Sequence, residues 1–140
     1  TATDRPVPAD FDGDGKADLT VYRDGTWYRL GTETGVSIYQ YGVAGDIPMG
    51  IDLDGDGWPE SAVFRPSNGT WYWLGNRTGE SHAMQFGTSS DIPVPADYNG
   101  DGRYEQAVYR GGAWHVANPD GTAVTSVFGL AGDQPTRAVR

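Results

Sequence analysis

The sequence predicts an all-β fold assembled from repeated four-stranded sheets, and three observations predict it. One block of landmarks recurs three times along 140 residues. The composition, with 21 glycines, 9 prolines and 17 aromatic residues, suits short strands and tight turns and is poor for helices. No window carries a helical period with proper caps.

The elements follow in the same order in each block. A first short strand opens at Asp4-Arg5-Pro6, Asp46-Ile47-Pro48 and Asp91-Ile92-Pro93, and an acidic loop follows at 10–18, 52–60 and 97–105. The second strand (Leu19 to Arg23, Ser61 to Arg65, Gln106 to Arg110) has apolar residues on both faces: Val21 and Tyr22, Val63 and Phe64, Val108 and Tyr109. Such a strand belongs to a sheet covered on both sides. Asp24-Gly25 is a two-residue hairpin signal, and Pro66-Ser67-Asn68-Gly69 is its longer counterpart. The third strand is centred on Trp27, Trp71 and Trp114, and the fourth ends at Tyr41-Gly42, Phe86-Gly87 and Phe128-Gly129. Spacing between the acidic loops is 42 and then 45 positions, with the extra residues in turns, where a shared architecture tolerates them. A four-stranded sheet stacked between copies of itself is a β-propeller blade. The chain thus reads as a single repeat domain with blades at 4–45, 46–90 and 91–132. A closing strand is expected at 133–140, where Asp133-Gln134-Pro135 repeats the opening but Val139 stands in place of the first loop aspartate.

Composition also excludes. With no cysteine there is no disulfide framework, thiolate metal site or cysteine nucleophile. A net charge of -9 argues against a nucleic-acid partner, and no apolar run approaches membrane-spanning length. The acidic loops carry the chemistry. Asp10, Asp12, Asp14 and Asp18 occupy loop positions 1, 3, 5 and 9; Asp52, Asp54, Asp56 and Glu60 do so in the second copy, and Asp97, Asn99, Asp101 and Glu105 in the third. Carboxylates crowded this closely repel one another unless a cation neutralises them, and glycine at position 6 permits the turn around it. All-oxygen donors in a flexible loop suit calcium, with the backbone carbonyls of Lys16, Trp58 and Arg103 completing the shells. The expectation is three structural calcium ions per chain, which would bring the net charge from -9 to -3. Position 12 is Val21, Val63 and Val108, so these are not EF-hands.

Trp27, Trp71 and Trp114 recur in every block and read as packing between blades, whereas Trp58 and Trp73 differ from their counterparts and are candidates for ligand contact. Arg23, Arg65 and Arg110 are expected to pair with repeated aspartates such as Asp46 and Asp91. His82 and His115 fall at non-equivalent places, in no nucleophile or metal motif, so no enzymatic activity is expected. Asn68-Gly69-Thr70 and Asn76-Arg77-Thr78 fit the glycosylation acceptor pattern.

The Asp-x-Asp/Asn-x-Asp-Gly-x-x-Asp/Glu loops, with Phe-Gly or Tyr-Gly and the loop to the next Asp (Gly42 to Asp46, Gly87 to Asp91, Gly129 to Asp133), resemble the FG-GAP and VCBS-type repeats of calcium-binding β-propellers. Such repeats occur in integrin α-subunit heads and in a fungal seven-bladed lectin. The resemblance implies calcium in each loop, a secreted setting and binding in place of catalysis. It transfers no sugar-binding residues. The ligand expected is carbohydrate, and the rival reading is a protein adhesion or scaffold module, or an accessory domain of a secreted enzyme. Three blades do not readily close a ring, so either two chains join head to tail as a homodimer closing a six-bladed ring, which is the expectation, or the chain is a piece of a longer protein.

Overall fold

The computed structural model describes residues 4–31, 35–76, 78–118 and 122–127. They form three four-stranded antiparallel sheets and no helix. The first holds β1 (Arg5–Pro6), β2 (Leu19–Arg23), β3 (Thr26–Gly31) and β4 (Gly35–Gln40), hydrogen-bonded in that order. The second holds β5 (Ile47–Ile51), β6 (Glu60–Arg65), β7 (Thr70–Leu74) and β8 (Ser81–Gln85), and the third β9 (Ile92–Pro93), β10 (Ala107–Arg110), β11 (Ala113–Ala117) and β12 (Ala123–Val127). Each sheet is a meander of neighbours in sequence. Phe128-Gly129 and the closing strand at 133–140 lie outside the described residues.

Local chemistry sets these strands. Pro6, Pro48 and Pro93 all stand in the first strand of a sheet, an edge, where a missing N–H costs no ladder bond. Asp24 and Gly25 both have positive φ (48° and 95°), which is the two-residue turn that matches strand twist, and Arg23 pairs with Thr26 across it. In the third sheet Gly111 and Gly112 make the same turn between Arg110 and Ala113.

An ion pair then ties the entrance of each first strand to the end of the second. Arg23 grips Asp4, Arg65 grips Asp46 and Arg110 grips Asp91, each through Nε and Nη2 to the two carboxylate oxygens. Asp46 also accepts from the Val43 N–H, and Asp91 from the Thr88 N–H and hydroxyl, so one carboxylate closes the inter-repeat loop and holds the arginine. Burial alone would raise the Asp91 carboxyl. The Arg110 and Thr88 hydrogen bonds and the Arg110 charge outweigh it and hold the group below its ordinary value.

The core lies between the sheets. Phe11, Tyr22 and Trp27 of the first repeat pack on Val63 of the second, and Phe64 and Trp71 of the second share a cluster with Val108 of the third. Trp27 and Trp71 are fully buried; their Nε1–H groups donate to the carbonyls of Tyr41 and Phe86, both at 2.8 Å. The repeated tryptophan thus anchors the aromatic-Gly corner. The glycine after it allows the next sheet to approach: a Cβ on Gly87 would meet Asp91 Oδ2 at 3.1 Å and Val108 at 3.2 Å. The second strands of the second and third sheets are buried on both faces, Val108 and Tyr109 on opposite sides of β10 as well as the β6 pair, whereas β2 departs from the expectation of coverage for all three. Val63 and Phe64 point to opposite sides of β6 and are both fully buried, whereas Leu19 on β2 is 71% exposed because no sheet of the described residues packs on its face.

Candidate metal centres

Each acidic loop joins the first two strands of a sheet, and a bridge closes its base: Ala9 with Asp18, Ile51 with Glu60, Ala96 with Glu105. Inside, side-chain oxygens hold the backbone in its turn. The position 1 carboxylate accepts from N–H groups across the loop: Asp10 from Asp14 and Gly15, Asp52 from Gly55 and Gly57, Asp97 from Gly100, Asp101 and Gly102. Positions 3 and 5 each accept from the N–H two residues on, including Asn99 from Asp101. This is the local reason that Asp and Asn, and no longer side chain, fill these places.

Position 9 reaches back from the start of the second strand. Asp18 Oδ2 accepts from Phe11 N–H (2.9 Å), Glu60 Oε1 from Leu53 N–H (2.7 Å) and Glu105 Oε1 from Tyr98 N–H (2.8 Å). All three carboxylates are buried. In Glu60 and Glu105 the second oxygen, Oε2, is buried with no hydrogen-bond partner. Burial, with the charges of Asp54, Asp52 and Asp56 adding to it, pushes the Glu60 carboxyl up to about 7 against the Leu53 hydrogen bond. Burial raises Glu105 in the same way, against hydrogen bonds from Tyr98 and Asn99.

The loops bring together what the sequence pattern assigned to them. One ligand atom from each of Asp10, Asp12, Asp14 and Asp18 lies within 4.8 Å of the others, and the same holds for Asp52, Asp54, Asp56 and Glu60 and for Asp97, Asp101 and Glu105. Each cluster could hold a metal ion, and its donors are hard oxygens throughout. The orphaned Oε2 atoms fit such an ion, since a buried carboxylate oxygen without a donor is costly unless a cation meets it.

Two grooves lie beside the loops, at equivalent places in the two junctions between sheets. One, of about 190 Å³, is lined by Arg29, Tyr39, Ser61 and Asn76 among others; the second, of about 210 Å³, by Trp73, Met84, Arg103, Tyr104, Gln106 and Asn118. Trp73 is half-buried and stacked on His82, with ring centroids 5.5 Å apart. Trp58 is placed differently: its ring lies over Gly13 of the preceding loop, so it packs one repeat on the next. Asn76 was visible in the sequence only as a glycosylation acceptor. Its Nδ2 is committed to the carbonyls of Phe11 (2.7 Å) and Pro59 (2.8 Å), bridging the first two loops. That role belongs with Pro59, which lacks the N–H that its counterpart Tyr104 donates to Asp52 O at 2.7 Å.

Residues 52–108 match the family model of the FG-GAP-like repeat, a span running from the second acidic loop through the third and into β10. No curated protein and no solved structure matches the chain significantly.

Proposed function

We propose, from the FG-GAP-like repeat at residues 52–108, that this chain is a calcium-stabilised, secreted binding module of the β-propeller type, non-catalytic, with carbohydrate as its ligand. Each four-stranded sheet is then a blade. The observation that carries the calcium reading is the buried second oxygen of Glu60 and of Glu105, each facing a cluster of carboxylates and meeting no donor. The ions would be held by Asp10, Asp12, Asp14 and Asp18, by Asp52, Asp54, Asp56 and Glu60, and by Asp97, Asn99, Asp101 and Glu105, with the carbonyls of Lys16, Trp58 and Arg103. Calcium supplies charge neutralisation there; the chain's own hydrogen bonds already shape the loops.

The sugar reading rests on the groove between the second and third sheets. Trp73 offers an aromatic face, and Arg103, Gln106 and Asn118 offer polar groups around it, the mixture that pyranose faces and hydroxyls require. The same place in the other junction has Arg29 where Trp73 stands, so the two grooves are not equal in ligand preference.

Calorimetry with calcium and then with excess chelator tests the first part. At a hundredfold excess of calcium over Kd each site adds about 2.7 kcal/mol, roughly 10 °C in Tm. An unchanged Tm would remove calcium from the reading. A glycan array tests the second: binding inhibited by one simple sugar and lost in Trp73→Ala is the expected result, and a blank array would favour a protein ligand.

A further inference from the structure

The groove between the first and second sheets holds an arginine whose partner is missing. At the ends of the second strands Arg23, Arg65 and Arg110 each grip an aspartate, but among the described residues Arg29 grips none. Its guanidinium rests against two rings instead, 5.4 Å from the centroid of Phe11 and 5.9 Å from that of Tyr39. Such stacking fixes the plane of the fork and leaves its N–H donors to be met by something else.

Two orphaned atoms mark the place. Four side-chain atoms among the described residues are buried without a hydrogen-bond partner, and two of them are the Glu60 and Glu105 oxygens that face the acidic clusters. The other two are Arg29 Nε and the Thr20 hydroxyl oxygen. Thr20 pairs with Arg29 across β2 and β3, so both stand at one point on the same face of the sheet. A buried donor without an acceptor is costly, and two at one point need a common explanation.

The groove beside them has about 190 Å³, less than the roughly 300–1,000 Å³ of sites for drug-sized molecules, so it holds one small ring. Tyr39 and Ser61 line it with hydroxyls 2.7 Å apart. A guanidinium fork matches the planar pair of oxygens of a carboxylate. The net charge of -9 turns away a polyanion, whereas one carboxylate against one arginine is balanced.

We infer that this groove is a second ligand site, which takes the carboxylate of one uronic acid residue in an otherwise neutral glycan, with Arg29 as its counter-ion. The carboxylate rests on Arg29 and Thr20, and the sugar body rests on the carbohydrate reading above. In the other groove Trp73, Met84 and Gln106 stand where Arg29, Tyr39 and Ser61 stand here, so all three places are neutral there. The chain thus offers one groove for an acidic sugar and one for a neutral sugar.

Saturation-transfer NMR in calcium tests it, with methyl β-D-glucuronide against methyl β-D-glucoside, the same ring bearing a neutral hydroxymethyl group. The glucuronide is expected to bind about tenfold more tightly or better, the worth of a charged hydrogen-bond pair. Arg29→Met keeps an apolar stem against the rings and should erase the difference, and Arg29→Lys, which keeps the charge without the fork, should retain part of it. Thr20→Val keeps the shape and should weaken the glucuronide alone; circular dichroism checks the fold of each variant. Glycosides that bind alike, or not at all, overturn the inference. A preference that survives Arg29→Met puts the carboxylate on a loop cation and overturns it too. If a neutral sugar from the array binds while the glucuronide gains nothing, this site fails and the carbohydrate reading stands; a blank array with neither glycoside bound removes both.

Discussion

The two oxygens of Glu60 meet different surroundings. One caps the loop through the Leu53 N–H, and the other is buried without a donor among the charges of Asp52, Asp54 and Asp56. Glu60→Gln keeps the shape and removes the charge. In chelator the variant is expected to be as stable as the parent or more so, and in calcium to lose about one site's share of the Tm gain; paired calorimetry scans check both halves. Asp91 has the opposite sign. Its folded value lies below the ordinary 3.8, so its contribution to stability is present above that value and is lost as the pH falls through the folded one. Arg110→Met removes the main partner and flattens the acid limb of a plot of urea midpoint against pH below about pH 4. The Arg–Asp pairs were legible because both residues recur in every block at a fixed distance. The roles of Asn76 and Trp58 were not, since each acts across a junction and has no repeated identity: position 7 reads Lys16, Trp58, Arg103.

At the scale of the element, the strands could be read closely. Leu19 to Arg23 is β2 as read, and the other second strands differ by one residue at their starts. Edge prolines, turn glycines and alternation are local signals, and a meander needs nothing else. What alternation cannot report is which face a neighbouring sheet covers, so the exposed face of the first sheet, with Leu19 and Ile38, had to be seen. The aromatic-Gly corner shows the difference in energetic terms. Gly87→Ala meets Asp91 and Val108 as well as a φ of 127°, and is expected to cost about 1–3 kcal/mol. Gly79→Ala has a φ of 73° but nothing within 4 Å, so it carries backbone strain alone. The difference between their urea midpoints measures the close approach of the sheets. Gly87→Ala falling no further than Gly79→Ala would mean that the corner has room to spare.

For the whole molecule, the order of the sheets matters more than their number. Among the described residues the first and third sheets each pack on one other sheet and the second on two, with Val63 and Phe64 sealed on opposite sides. Such a row loosens from its ends, because an outer sheet gives up one junction when it opens and the middle sheet gives up both. Backbone amides of β6 and β7 should therefore exchange with deuterium last, at rates set by global unfolding, while those of β2, β3, β10 and β11 exchange through partial openings that leave the middle intact. Peptide-level exchange followed by mass spectrometry reads this as a gradient along the chain. Chelator should steepen it, since each loop braces the first two strands of its own sheet and, among the described loops, the second alone has a neighbouring loop on each side.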